Sequence, residues 1–243
     1  MDPKPEVLCY LCNKSIEPNA SDEVNRPSED HVPPLIFFPK KMRKQGEIKE
    51  QLVKLSAHQG CNAKHMKDEE YFARAMAYYI RDHNETGAAL YEDFKGHLAR
   101  HPDHAGVISR ILRKVGRQLP SGLLVPRTHE VLELESERNV NVIWKIARGL
   151  HYHRFNRFLP EDHRFNARKI EVDTPWPEGP RSLIDQAQAQ GAYPDVFEYK
   201  YGYHSETPKV NFIWMRLWKT LLFVIRFDDA DCECPGCKGM YEA

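Results

Sequence analysis

Two short strings restrict what the first third of this chain can become: Cys9-Tyr10-Leu11-Cys12 and His58-Gln59-Gly60-Cys61. Cys-x2-Cys forms a tight turn whose two sulfurs reach one metal ion, and a matching His-x2-Cys completes a tetrahedral set. Thiolates bind zinc at roughly 2.3 Å, and closing such a site supplies folding free energy that a short, loop-rich segment cannot draw from burial. On this reading Cys9, Cys12, His58 and Cys61 hold a structural Zn2+ ion. His58 stands where a second Cys-x2-Cys would carry its first cysteine, so a cysteine from near the C-terminus is the alternative fourth ligand.

Asp30-His31 lies between the two strings, followed by Val32-Pro33-Pro34, and Asn62 directly follows Cys61. The prolines exclude helix and favour an extended strand running into a turn. A metal ion on both knuckles would bring residues 30–31 next to residue 62 across about thirty residues, a closure that otherwise costs chain entropy.

Taken together, Cys9-x2-Cys12, Asp30-His31-Val32-Pro33 and Leu55-x2-His58-x2-Cys61-Asn62 resemble the HNH endonucleases of the ββα-metal, or His-Me finger, superfamily. The resemblance covers the first third of the chain. It implies a β-hairpin and a following helix that grip one divalent cation, with structural zinc tying hairpin to helix. It also implies that His31 is the general base and that Asp30 and Asn62 bind a catalytic Mg2+ or Mn2+ ion. His58 in place of a cysteine departs from the family pattern. The residue types suit phosphodiester hydrolysis: an imidazole titrates near neutrality and can take a proton from water. Carboxylate and amide oxygens are the hard donors that Mg2+ and Mn2+ prefer.

Pro39 to Gly46 reads as a basic loop, with Lys40, Lys41, Arg43 and Lys44 placed to track a nucleic-acid backbone or to form a solvated face. Past Asn62 the pattern turns helical, with Phe72, Met76 and Tyr79 on one face after the polar run Lys67-Asp68-Glu69-Glu70, and with His65 facing solvent. Residues 82 to 118 carry helical periodicity at Leu90, Phe94 and Leu98 and again from Val107 to Val115. A strong helix is predicted over residues 139 to 159, where Lys145, Arg148, Arg154 and Arg157 alternate with Trp144, Tyr152, Phe155 and Phe158. Such interleaving serves either a nucleic-acid cradle, with Arg154 and Arg157 as contacts, or a core helix whose arginines snorkel. Ile146-Ala147-Arg148-Gly149-Leu150 is similar to a helix appended to some HNH proteins and implies no chemistry. Strands follow at Ile170-Glu171-Val172, Val196 to Tyr201, Phe212 to Leu217 and Leu221 to Phe227, with a helix from Leu183 to Gln190.

The six cysteines fall in two clusters, the second being Cys232-x-Cys234-x2-Cys237. It offers three ligands of a second metal site or a reducible tail. Residues 1 to 7 have no apolar core, so no secretory leader is expected, and cysteines so spaced then read as metal ligands rather than disulfides. Phe212 to Phe227 is too short and too charged to span a bilayer, so no membrane association is expected and the cytoplasm is the expected compartment. Lys plus Arg and Asp plus Glu both total 35, so the overall charge selects no partner.

The expected fold class is α+β: a zinc-stapled ββα-metal module over residues 1–81, a helical connector over 82–138, and an α+β unit with antiparallel strands over 139–243 that binds nucleic acid or a regulatory protein partner. The expected function is metal-dependent endonuclease action on nucleic acid, DNA before RNA and double-stranded before single-stranded. The resemblance sets it in a phage-defence or mobile-element context. The alternative is a non-catalytic zinc module that binds nucleic acid or protein.

Overall fold

The computed structural model describes residues 6–44, 47–102, 112–114, 130–132, 135–170, 181, 184–203 and 210–228. The chain begins with a knuckle in which Leu8 bridges Ser15 and Asn13 adopts a left-handed conformation at φ 59°. Asparagine is one of the few side chains that tolerates that region. Strand β1 (Pro27–Val32) pairs antiparallel with β2 (Val53–His58), aligning Asp30 with Leu55 and His31 with Lys54. Between them a 3-10 turn (Leu35–Phe37) leads to the short helices α1 (Lys40–Lys44) and α2 (Glu47–Gln51). The segment expected as a basic loop is therefore partly a helical turn. Strand β2 runs directly into α3 (Gln59–Ile80), so the hairpin and helix form a continuous β-β-α unit.

Helix α4 (Glu85–Arg100) follows, its N-cap Asn84 accepting from the Gly87 amide at 2.8 Å. Such a cap satisfies an amide that the first turn leaves unpaired. The helical expectation for residues 107 to 115 fails at Leu112–Lys114, which forms strand β3 and pairs antiparallel with β4 (Glu130–Leu132). Neighbouring strands can outbid a weak helical period. Residues 103–111 lie outside the described residues, as do Cys232, Cys234 and Cys237.

Helix α5 (Ser136–Phe155) starts three residues before the expected point and ends on Asn156, left-handed at φ 52°. Every residue from Val142 to His151 is buried, Lys145, Arg148 and His151 included. The core-helix alternative holds for this stretch, because the helix lies between the β-β-α unit and a sheet. That sheet is antiparallel, in the order β5-β9-β8-β7-β6, from β5 (Phe165–Ile170), β6 (Gln190–Tyr193), β7 (Phe197–Tyr203), β8 (Val210–Leu217) and β9 (Leu221–Asp228). The strand expected at 170–172 is met only at Ile170, where β5 ends, because Glu171 and Val172 lie outside the described residues. The helix expected up to Gln190 stops short, since Gln190 opens β6 and pairs with Tyr199.

One apolar cluster runs from Cys9 through Phe37, Phe72, Ile146 and Trp218 to Phe227. That cluster draws residues from either side of both expected boundaries, 81 and 138. Trp218 shows why. It sits in the β8–β9 turn at φ 49°, next to Lys219 at φ 58°. Paired positive φ values are those of a type I′ turn, closed here by the Thr220 amide on the Leu217 carbonyl at 3.1 Å within a three-residue loop. Its ring is fully buried, 5.1 Å from Phe37 and 6.1 Å from Phe72, and its Nε1–H donates to the Phe37 carbonyl at 2.9 Å. The sheet is plugged into the N-terminal unit through this turn. No helix among the described residues is long and apolar enough to cross a membrane.

Candidate metal centre and the Asp30–Asn62 cation site

Ligand atoms of Cys9, Cys12, His58 and Cys61 all lie within 4.8 Å of one another. Cys9 and Cys12 come from the first knuckle, closed by the Cys9 amide to the Lys14 carbonyl at 2.9 Å and the Asn13 amide to the Cys9 carbonyl at 2.7 Å. The Tyr10 amide donates to the Ser56 carbonyl at 3.1 Å, which pins the knuckle to β2. His58 ends β2 and Cys61 lies in the first turn of α3. Gly60 between them is required: a Cβ there would come within 2.5 Å of Val24 Cγ1, and its amide donates to the Val24 carbonyl at 2.9 Å.

His58 belongs to the set. Its Nδ1 lies 3.4 Å from Cys12 Sγ and 3.9 Å from Cys61 Sγ, while Nε2 meets the Ser15 carbonyl at 3.1 Å. A carbonyl only accepts, so it holds the proton on Nε2 and leaves the Nδ1 lone pair facing the sulfurs. Burial and then the neighbouring Cys9 and Cys12 sulfurs push the Cys61 thiol up to about 12. Burial also opposes ionisation of Cys12, but hydrogen bonds from the Lys14 backbone and from Cys9, His58 and Cys61 bring that thiol below its ordinary value. Three thiolates this close repel one another, and a bound cation removes the repulsion. The cluster can hold a metal ion.

The second constellation lies a few residues along the same elements. Asp30 faces inward from β1 and is 4% exposed. Its Oδ2 accepts from the Tyr10 hydroxyl and lies 2.8 Å from the Lys145 ammonium. That ammonium also donates to Asn62 Oδ1 at 3.2 Å and to Glu69 Oε1. Asn62 Nδ2 reaches Ser28 Oγ at 3.5 Å. An ammonium can only donate, which orients the Asn62 amide with its oxygen toward Lys145. Burial raises the Glu69 pKa against the pull of Lys145, and burial followed by the Asp30 charge raises that of Tyr10. Burial also lowers His65 to about 4, so this α3 residue, expected to face solvent, is buried and neutral.

Two of the three expected catalytic side chains therefore converge. The third is turned away: successive residues of a strand face opposite sides, and His31 pairs with Lys54 in register and lies 3.6 Å from Glu29 Oε1. Lys41 and Lys44 on α1 are exposed, as are Arg154 and Arg157. Lys40 and Arg43 instead line a cavity of about 200 Å³ with Arg74, His97, Glu70 and Asp93.

Lys145 and Glu69 were missing from the sequence-derived site. Glu69 carried a legible signal, because Asn62, His65, Glu69, Phe72 and Met76 recur at alternating spacings of three and four along α3. Lys145 carried none, since its role depends on where α5 lands. Gly149 sets that landing. A Cβ there would lie 2.7 Å from Val32 Cγ2 and 3.3 Å from Leu55 Cδ1, so only glycine lets α5 press onto both hairpin strands. Lys145, four residues earlier, shares that face, and Arg148 locks the knuckle by donating to the Leu11 carbonyl at 2.7 Å and the Leu159 carbonyl at 2.8 Å.

No family model matches the chain, and no curated protein or solved structure matches it.

Proposed function

We propose that this chain is an HNH-type endonuclease acting on nucleic acid, with DNA the preferred substrate and with structural zinc on Cys9, Cys12, His58 and Cys61. The observation that carries the reading is the convergence of Asp30 Oδ2 and Asn62 Oδ1 on one cation, 2.8 and 3.2 Å away, at the junction of a β-hairpin and a helix tied by a metal-competent cluster. One carboxylate and one amide oxygen are a donor set that suits Mg2+ or Mn2+. Held there, a divalent ion would supply Lewis-acid stabilisation of the phosphate.

The chain's own residues do the rest. In this reading His31, 13% exposed at its side chain and on the face of β1 opposite Asp30, is the general base, so cleavage requires the attacking water to lie on that face while the ion is held on the other. Glu29 Oε1 lies 3.6 Å from His31 Nε2. Lys41 and Lys44 hold the phosphate backbone through sequence-independent contacts. His31→Ala should abolish plasmid cleavage in Mg2+ or Mn2+ while leaving circular dichroism and bound zinc unchanged. Wild-type rates in that variant would refute the mechanism.

A second reading, a non-catalytic zinc module that binds nucleic acid or protein, is favoured by His31 and Asp30 facing opposite sides of β1. It predicts DNA retention without nicking at any divalent-ion concentration. The same plasmid assay separates the two.

A further inference from the structure

The point between Asp30 and Asn62 is already filled by a cation that belongs to the chain. We infer that the Lys145 ammonium is a tethered counter-ion standing in the divalent-ion position, so that in this conformation the site excludes Mg2+ or Mn2+, and ion binding requires Lys145 to withdraw. The inference rests on reading Asp30 and Asn62 as a divalent-ion site, and not on cleavage.

Three observations support it. The ammonium takes both oxygens the ion would use, at 2.8 and 3.2 Å. A magnesium ion sits at about 2.1 Å from its oxygen ligands and cannot share that space with an ammonium. Lys145 is also fixed: it is 2% exposed, and the Gly149 contact clamps its helix to the hairpin. Lastly, the ammonium is tied down on a third side: besides Asp30 Oδ2 and Asn62 Oδ1 it pairs with Glu69 Oε1 from α3, while the Tyr10 hydroxyl holds Asp30 in place. The device is local. A lysine stem has four rotatable carbons, so withdrawal needs a rotamer change of that side chain and no unfolding of the hairpin.

The test is Mn2+ titration of the full chain, with free Mn2+ read by electron paramagnetic resonance and each variant checked by circular dichroism. The comparison is wild type, Lys145→Met, Asn62→Ala and the double variant Lys145→Met with Asn62→Ala. Lys145→Met should gain about tenfold or more in Mn2+ affinity, because juxtaposed like charges are strongly disfavoured, and the double variant should lose the gain. Wild type binding Mn2+ as tightly as Lys145→Met, in an Asn62-dependent way, would overturn the inference, as would no gain in a folded Lys145→Met. Should Lys145→Met fail to fold, Lys145→Gln takes its place in the same comparison, with an Asn62-dependent gain supporting the inference and no gain in the folded variant overturning it. Because the readout is ion binding, absence of cleavage in every sample would count against the endonuclease reading alone.

Discussion

His151 is buried in α5, with Nδ1 2.7 Å from the Tyr201 hydroxyl, which in turn donates to Asn211 Oδ1 at 3.1 Å. Tyr201 has one proton to give, so Nδ1 carries the imidazole proton in this chain of bonds. Burial first, then the nearby charges of Arg157 and His163, lower the His151 pKa to about 4. The folded imidazole is therefore neutral where an unfolded one, near 6.5, begins to protonate. The unfolded state binds more protons between these two values, so stability is full above pH 6.5 and falls as pH drops toward 4. The contribution of this one residue is up to about 3 kcal/mol. Urea midpoints measured from pH 7.5 to 5 should decline, and His151→Gln should make the decline shallower, with buried His65 keeping its own share. A wild-type midpoint that does not change with pH would show that His151 is solvated in the native state.

At the scale of elements, the decisive contact is α5 on the β1–β2 hairpin. A Cβ at position 149 overlaps Val32 from β1, crowds Leu55 from β2 and makes an ordinary contact with Tyr10 of the knuckle. Gly149→Ala should therefore cost about 1–3 kcal/mol, the usual range for overpacking, despite the better helix propensity of alanine. Denaturant unfolding measures the loss. A stabilised variant would mean that α5 does not approach the hairpin this closely. Ile146-Ala147-Arg148-Gly149-Leu150, legible in the sequence only as a resemblance without chemistry, is thus the docking surface that delivers Lys145 to Asp30.

For the molecule as a whole, the shared core predicts that the N-terminal β-β-α unit and the sheet unfold together. Trp218 is the link to break. Trp218→Ala removes a fully buried indole and its bond to the Phe37 carbonyl, a change expected to cost about 3–5 kcal/mol. Native-state hydrogen exchange should speed up in β2 as well as in β8. Acceleration confined to β8 would restore independent domains. Asn84 strengthens the expectation, since the residue that caps α4 also donates to the Trp218 carbonyl at 2.7 Å.

The sequence by itself determined what local spacing can encode: two knuckles with metal-ligand geometry, a proline-bounded strand at Asp30-His31, an α+β class, and the strands from Phe197 to Phe227. Each follows from residues within a few positions of one another. His58 was open on spacing alone, and the Ser15 carbonyl on its Nε2 is what ties it to the three sulfurs. Charge was the least legible property. Asp68-Glu69-Glu70 looks like a solvated run, and Lys145 and Arg148 look like half of a basic cradle, yet Glu69, Lys145 and Arg148 are buried. Only the tertiary structure could decide this, because a charged side chain is buried when a partner meets it, and the partners here lie on different elements brought together by Gly149 and Trp218. Packing of α5 against the hairpin, not any local motif, placed an ammonium between Asp30 and Asn62.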